Sequence, residues 1–194
     1  MKDWTDTLRQ HVEEWTTKLA KSGRDWWAKY VFHFTDISNA ASILNSGELL
    51  SRQECERRGV MENDNADPEI IERTAGGHLD LVRLYFRPRT PTLYNVEGIR
   101  RRSRQDDGHC PTPVYFLFDF VETLGRDDAS FSRGTLASPR YGYHDDERHF
   151  RAIDFEDVYH DDRLDVFATA RKREVIRKRQ AEVVIPESLT LGDE

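Results

Sequence analysis

The N-terminal segment carries apolar residues at the spacing of an α-helix. Over residues 3–21 they recur every three or four positions, at Trp4, Leu8, Val12, Trp15 and Leu19. This period predicts an amphipathic helix over residues 3–21, with its apolar stripe buried against the body of the protein or against a partner. Ser22 and Gly23 follow, as is typical after the end of a helix.

Short apolar runs further along the chain predict β-strands. They cover residues 30–35, 81–86, 114–120 and 181–185, and the third is long enough and apolar enough to predict a buried strand. Helices are predicted over residues 36–44, 51–58 and 161–179, and residues 123–160 are expected to be loop with short helices. Strands and helices mix without regular β-α-β alternation, which favours an α+β fold. The length of 194 residues suits one domain, taken as residues 25–194, preceded by a helical extension over residues 1–24.

Composition narrows the classes of function. The net charge of −7 excludes a globally basic nucleic-acid binder, yet 23 of the 29 basic residues are arginine, whose planar guanidinium suits phosphate and stacked bases. Base composition of the genome would also explain the arginine content. Cys55 and Cys110 are too few for a disulfide framework, and no run of about 18 apolar residues predicts a membrane span. A cytoplasmic protein without a membrane partner is expected.

Two charged or titratable residues interrupt predicted strands and are the leading candidates for chemistry. Glu182 falls at the start of the apolar run after a basic helix, and His33 falls inside the first run with Thr35 on the same face. Taken singly, each is more often an ordinary strand residue, a glutamate facing water or a satisfied core histidine. Taken together, they suggest a site that binds a ribose and stabilises positive charge at its anomeric carbon, as carboxylates do in glycosyl transfer.

Arginines supply the other candidates. Arg73 precedes Gly76 and Gly77, so a tight turn could aim its guanidinium at a phosphate, although a surface arginine before a turn is common. A second group is interleaved with aromatic residues and predicts a groove for single-stranded nucleic acid, with a solvated charge run as the alternative. Its members are Arg87, Arg89, Tyr94, Arg100, Arg101 and Arg102. His144, His149 and His160 match no zinc spacing, so no metal is expected.

Three motifs, in this order, resemble the DarT family, bacterial NAD⁺-dependent ADP-ribosyltransferase toxins that modify single-stranded DNA. They are residues 31–47 (VFHFTDISNAASILNSG), residues 81–95 (LVRLYFRPRTPTLYN) and residues 179–185 (RQAEVVI). The resemblance spans residues 30–186 and excludes the first helix. It implies an ADP-ribosyltransferase-like split β-sheet core with flanking helices, with NAD⁺ bound in the cleft.

The resemblance also implies roles for individual residues. His33, Phe34 and Thr35 match the NAD⁺-binding opening strand, Arg73 an active-site arginine, and Glu182 the catalytic glutamate. Residues 125–150 take the place of the substrate-recognition loop.

The expected activity is transfer of ADP-ribose from NAD⁺ to a base in single-stranded DNA, thymine first and guanine second, by a toxin or phage-defence effector. The alternatives are an ADP-ribosyltransferase acting on RNA or protein, and an inactive nucleic-acid-binding module. By family analogy, a macrodomain antitoxin is an expected partner.

Overall fold

The computed structural model describes residues 1–60, 78–97, 110, 112–135, 140–162, 164 and 168–192. The strands are β1 (Tyr30–Asp36), β2 (Glu48–Leu50), β3 (Leu81–Tyr85), β4 (Pro113–Asp119), β5 (Ser130–Phe131), β6 (Glu182–Pro186) and β7 (Ser188–Thr190). The helices are α1 (Thr5–Ala20), a 3₁₀ helix (Asp25–Lys29), α2 (Ile37–Ser46), α3 (Arg52–Arg58), α4 (Pro91–Val96), α5 (Phe120–Leu124), α6 (Glu147–Arg151), α7 (Phe155–Tyr159) and α8 (Thr169–Lys178). This mixture confirms the predicted α+β class.

Local signals in the sequence set the boundaries of the helix that follows β1. The Asp36 carboxylate accepts a hydrogen bond from the backbone N–H of Ser38 at 3.0 Å, which satisfies a free donor at the start of α2. Gly47 ends the helix in the left-handed conformation, with φ of 69°, which a side chain at this position would disfavour. The chain is therefore turned sharply at both ends of α2, and β1 is held in place as an extended strand.

The main sheet is divided between its second and third strands. The strand order is β4-β1-β3-β6-β5, and all neighbours are antiparallel. β1 pairs with β4 from Tyr30 to Asp36, and β3 pairs with β6 along its whole length, but β1 and β3 share only the Phe32–Tyr85 pair. β1 and β3 therefore separate beyond that pair, as expected for a split sheet. β2 and β7 form a second, two-stranded sheet.

The N-terminal helix packs on the same core as the sheet. Trp4, Leu8, Trp15 and Leu19 are buried in one apolar cluster with residues of β3 and β6 and of α5 to α7. His11, on the same helix face, stacks on a phenyl ring of α5 at 4.9 Å, and burial lowers its pKa to about 3. The division into residues 1–24 and 25–194 stays a prediction, and the apolar core is continuous across it.

Several details differ from the sequence-based expectations, among them the helix predicted over residues 161–179, which is α8 and begins at Thr169. β4 is not a fully buried strand: it lies at the edge of the sheet, and Leu117 is 44% exposed. As an edge strand, β4 has a neighbouring strand on one side only, which leaves it less covered than a central strand. Within the segment expected to be loop, Ser130 and Phe131 form β5, which pairs with β6 through Val183 and Val184. A two-residue strand is too short to produce a periodic pattern in the sequence.

Candidate active site

Glu182 begins β6 in the interior of the sheet. Its side chain is 1% exposed, because β6 lies between β3 and β5 and the flanking segments cover it. The backbone of Glu182 is fixed on both sides by Ser132, whose hydroxyl accepts from the Glu182 N–H at 3.2 Å and whose N–H donates to the Glu182 carbonyl at 2.8 Å. The alternative that Glu182 is an ordinary strand residue facing water is therefore excluded.

The Glu182 carboxylate is held by an arginine of the neighbouring strand. Arg83 donates its Nε–H to Oε2 at 2.5 Å and an Nη2–H to Oε1 at 2.7 Å, which makes a bidentate ion pair. The attraction of the carboxylate raises the pKa of Arg83 far above its usual value. The Arg83 side chain is 33% exposed, so the pair lies just below the surface with the arginine on the outer side.

Aromatic side chains share the face of the sheet that carries this ion pair. Tyr85 lies opposite both Phe32 and Glu182 in the strand register, so these side chains point to the same side. Phe34 stacks on Tyr85 with ring centroids 5.9 Å apart and an interplanar angle of 15°. Burial raises the pKa of Tyr85, which keeps its phenol neutral. Glu182, Arg83, Tyr85 and Phe34 together form one surface beside the seam between β1 and β3.

His33 reaches this seam from the other face of β1. Strand alternation places it opposite Phe34, on the side of Thr35, which is buried. The His33 Nδ1–H donates to the carbonyl oxygen of Arg83 at 3.1 Å, and burial lowers the pKa of the imidazole. Among the described hydrogen bonds, His33 is thus linked to Glu182 through Arg83, while Phe34 shares the carboxylate's face.

Tyr143 is a further residue of this region. Burial raises the pKa of its phenol, and the nearby Glu182 charge adds to the rise. The ring of His78 packs edge-on against it at 4.8 Å. Within the described part of the chain, neither the Tyr143 hydroxyl nor the His78 Nδ1 has a hydrogen-bond partner. Buried polar atoms are normally satisfied, so these two atoms fit a site that a polar ligand completes.

Sequence reasoning missed Arg83 and Tyr143 as site residues. Arg83 was visible as a charge inside an apolar strand, the same signal that singled out Glu182. Its partner lies 99 positions away, and only the β3–β6 register brings the two together. Tyr143 lies in an irregular segment, and no pattern in the sequence marks it.

Arg87 was expected in a nucleic-acid groove, but it lies in the protein interior. Its side chain is 1% exposed, and its guanidinium donates to the carbonyl oxygens of Val158 and His160 and to Asp161 at 2.6 Å. It also lies over the Trp27 ring, 5.0 Å from the centroid. Burial and the nearby Arg179 lower the pKa of Arg87 to about 10. The groove expectation is corrected here: Arg87 ties the end of β3 to the segment after α7.

The other predicted nucleic-acid residues divide into two groups. Arg89 and Tyr94 lie on the surface, with the Arg89 side chain 71% exposed and Tyr94 62% exposed. Arg89 also pairs with Asp161 at 2.8 Å. Arg73 and residues 100–102, which include the remaining predicted arginines Arg100, Arg101 and Arg102, lie outside the described residues.

One histidine cluster has the composition of a metal site. Ligand atoms of His144, Asp146 and His149 lie within 4.8 Å of one another. The two imidazoles stack with centroids 3.8 Å apart and planes 8° from parallel, so their in-plane lone pairs do not converge on one point. Asp146 accepts from both the backbone N–H and the Nδ1 of His149, as a helix cap does. Capping and stacking account for this arrangement.

Known proteins resemble this chain in sequence pattern and fold. The family model described as "DarT: ssDNA thymidine ADP-ribosyltransferase, DarT" matches residues 32–192. The fold is similar to Thermus sp. 2.9 DarT in complex with ADP-ribosylated ssDNA, with a TM-score of 0.63 and 19% identity, covering 84% of this chain and 77% of that chain. The Thermus protein in complex with NAD⁺ gives a TM-score of 0.58 and 18% identity over the same shares.

A longer relative shows the same fold. Thermosipho africanus DarTG in complex with ADP-ribose gives a TM-score of 0.61 and 21% identity, covering 83% of this chain and 41% of that chain. No curated protein matches the chain. The described ranges contain no helix with the length and apolar character needed to cross a membrane. The matched structures support the fold, and the family model covers most of the chain, including β1, β3 and β6.

Proposed function

The chain belongs to the DarT family, and from this premise we propose that it transfers the ADP-ribose group of NAD⁺ to thymidine in single-stranded DNA. The reaction breaks the bond between nicotinamide and the anomeric carbon of ribose, and the electron pair leaves with nicotinamide. The nucleobase then forms a new bond to that carbon and loses a proton. The same activity would serve a toxin or phage-defence effector.

The observation that carries this proposal is the buried carboxylate of Glu182 beside the seam of a split sheet. Positive charge develops on the ribose as nicotinamide departs, and a fixed carboxylate stabilises that charge. A carboxylate also accepts hydrogen bonds from ribose hydroxyls. Because Ser132 holds the backbone of Glu182 from two directions, the group needs little rearrangement before reaction.

Residues of β1 and β3 are suited to bind the dinucleotide. Phe34 and Tyr85 offer stacked aromatic surface on the face that carries Glu182. The Tyr143 hydroxyl and His78 Nδ1, which have no hydrogen-bond partner among the described residues, offer polar groups to a ligand nearby. His33 and Thr35 lie on the opposite face of β1, where His33 binds the backbone carbonyl of Arg83 across the seam. This arrangement supports a role for β1 in NAD⁺ binding, with Phe34 as its contacting side chain.

The nucleobase proton requires an acceptor, which the family resemblance places near Arg73. A guanidinium stays protonated in proteins, so we assign Arg73 to holding a pyrophosphate or polarising a base carbonyl. For the DNA strand, Arg89 and Tyr94 are the members of the predicted groove that are exposed among the described residues. With a net charge of −7, affinity for DNA must come from such a local patch and must fall steeply with salt.

The test is transfer from NAD⁺ to a pool of single-stranded DNA of random sequence, digested to nucleosides and examined by mass spectrometry. We expect ADP-ribosylated thymidine with the native chain and none with Glu182→Gln, which preserves shape and removes the charge. Glu156→Gln changes an exposed glutamate of α7 whose side chain is 75% exposed, and it should remain active.

Other outcomes separate the alternatives. An adduct on deoxyguanosine would change the target base, and labelling of RNA or lysate protein with none on DNA would change the substrate class. Salt-sensitive DNA binding without NAD⁺ turnover would favour an inactive binding module. We also propose that the chain acts in the cytoplasm and is neutralised by a macrodomain antitoxin, which expression of the chain in cells with and without such a partner tests. We further propose that transfer requires no metal, which an assay in the presence of a chelator tests.

A further inference from the structure

The reaction proposed above uses the Glu182 carboxylate but gives no role to Arg83, which is bound to that carboxylate. Both oxygens of Glu182 accept from Arg83, and the carboxylate side is sealed from solvent while the arginine side is open. The Arg83 backbone is also held, because its carbonyl accepts from the His33 imidazole across the seam. His33, Arg83 and Glu182 therefore form one connected line from β1 to β6.

The bidentate pair leaves the carboxylate able to act. Two carboxylate oxygens offer about four lone-pair positions, and Arg83 uses one on each oxygen. The remaining positions can still accept a ribose hydroxyl. Two parallel N–H···O bonds also fix the plane of the carboxylate, which a single bond would leave free to rotate.

The pair is unfavourable as a mere stabilising contact. Removing the Glu182 charge from water costs several kcal/mol, and Arg83, which stays partly exposed, offsets only part of that cost, so an uncharged side chain of similar volume would serve stability as well or better. The other titratable groups around it are Tyr85 of β3 and Tyr143 of the segment before α6, with Asp80 facing Tyr143. Both phenols are neutral near neutral pH, so Arg83 is the cation that the structure places against Glu182.

We propose that Arg83 is a positioning residue for the transfer, holding the Glu182 carboxylate in a fixed plane without itself binding NAD⁺. This role rests on the proposed function. It requires that loss of Arg83 lower the rate of the chemical step. It also requires that NAD⁺ affinity be nearly unaffected.

The test compares Arg83→Gln and Arg83→Lys with the native chain in steady-state transfer to single-stranded DNA. We expect the kcat of Arg83→Gln to fall roughly 100-fold near neutral pH, the scale of losing one preorganised electrostatic contact, with KM for NAD⁺ within about 3-fold. Arg83→Lys keeps the charge but not the planar fork, so its kcat should fall roughly tenfold.

The matched control is Arg57→Gln. Arg57 makes the same bidentate contact to Glu54, at 2.7 and 2.6 Å, but its side chain is 69% exposed on α3. The kcat and KM of Arg57→Gln should equal those of the native chain. Thermal unfolding of each variant shows whether it folds, and Arg83→Gln combined with Glu182→Gln should melt higher than Arg83→Gln alone because no unpaired charge is then buried.

The outcomes separate this inference from the proposed function. If the native chain modifies no DNA, the function fails and the inference fails with it. If the native chain is active and Arg83→Gln keeps the native kcat, only the inference is overturned. A large rise in KM at constant kcat would also overturn it, since Arg83 would then contact the ligand. If Arg83→Gln does not fold, a folded Arg83→Lys with native kcat would overturn it.

Discussion

Replacing Arg87 by alanine tests the most consequential difference between the sequence-based expectation and the structure. A groove arginine would be dispensable for folding, whereas the structure has Arg87 bridging β3 to the segment after α7. Its guanidinium donates to two backbone carbonyls and to Asp161, and it covers the ring of Trp27. Alanine removes these donors and leaves two carbonyls and one carboxylate without them.

The expected loss of stability follows from these contacts. Asp161 keeps Arg24 and Arg89 as partners, so the loss comes from the hydrogen bonds of the Arg87 guanidinium, and such bonds from a charged group contribute about 1.5–3 kcal/mol each without being additive. We expect Arg87→Ala to lose about 3–5 kcal/mol in the free energy of unfolding. For a chain of this size that corresponds to a fall in Tm of roughly 6–20 °C.

Arg89→Ala is the matched control, because Arg89 pairs with the same carboxylate from a side chain that is 71% exposed. An exposed ion pair contributes about 0–1 kcal/mol, so the Tm should change by no more than about 4 °C. Both variants are measured by calorimetry, and their binding to single-stranded DNA by fluorescence anisotropy. If Arg87→Ala melted with the native chain and lost DNA affinity instead, the structural role argued for Arg87 would be refuted.

Three further substitutions test a buried histidine, a closely packed glycine and a tyrosine of the active site. His11 is neutral in the fold because its pKa of about 3 lies below the usual 6.5, so its contribution to stability is present above about pH 6.5 and lost on acidification. The unfolded chain takes up the proton, which costs about 1.4 kcal/mol by pH 5.5, and His11→Phe should show a smaller fall in Tm over that range. Gly134→Ala would place a Cβ 2.7 Å from the Tyr141 ring and should lower the free energy of unfolding by about 1–3 kcal/mol. Gly142→Ala is the control, because its Cβ would meet nothing within 4 Å and should leave that free energy unchanged. Equal melting temperatures for the two variants would contradict the packing argument. Tyr143→Phe should melt no lower than the native chain, since its hydroxyl has no partner among the described residues, but should transfer less ADP-ribose; native transfer would remove Tyr143 from the site.

Local pattern was sufficient to predict the elements that position the site. The helical period of Trp4, Leu8 and Trp15 predicted α1, and those residues are in the core. The apolar runs around His33 and Glu182 predicted β1 and β6 within a residue or two of the observed strands. Period and composition act over a few residues, which is the range at which helix and strand formation is decided.

The pattern of apolar and polar residues along the sequence could not predict contacts between distant segments. Arg87 stands in an arginine- and aromatic-rich stretch typical of a nucleic-acid groove, and its interior position depends on Asp161, 74 positions along the chain. In the sequence Arg83 was only a charge within an apolar strand, and it lies against Glu182 because of the β3–β6 register. Such pairings follow from strand order and register, and a single sequence specifies these only through the whole fold.

The measurement that bears most directly on the central claim is the nucleoside analysis of single-stranded DNA treated with NAD⁺ by the native chain and by Glu182→Gln, with both proteins shown to be folded. We expect ADP-ribosylated thymidine with the native chain alone. Equal modification by the two proteins would contradict the assignment of the buried carboxylate to the reacting ribose.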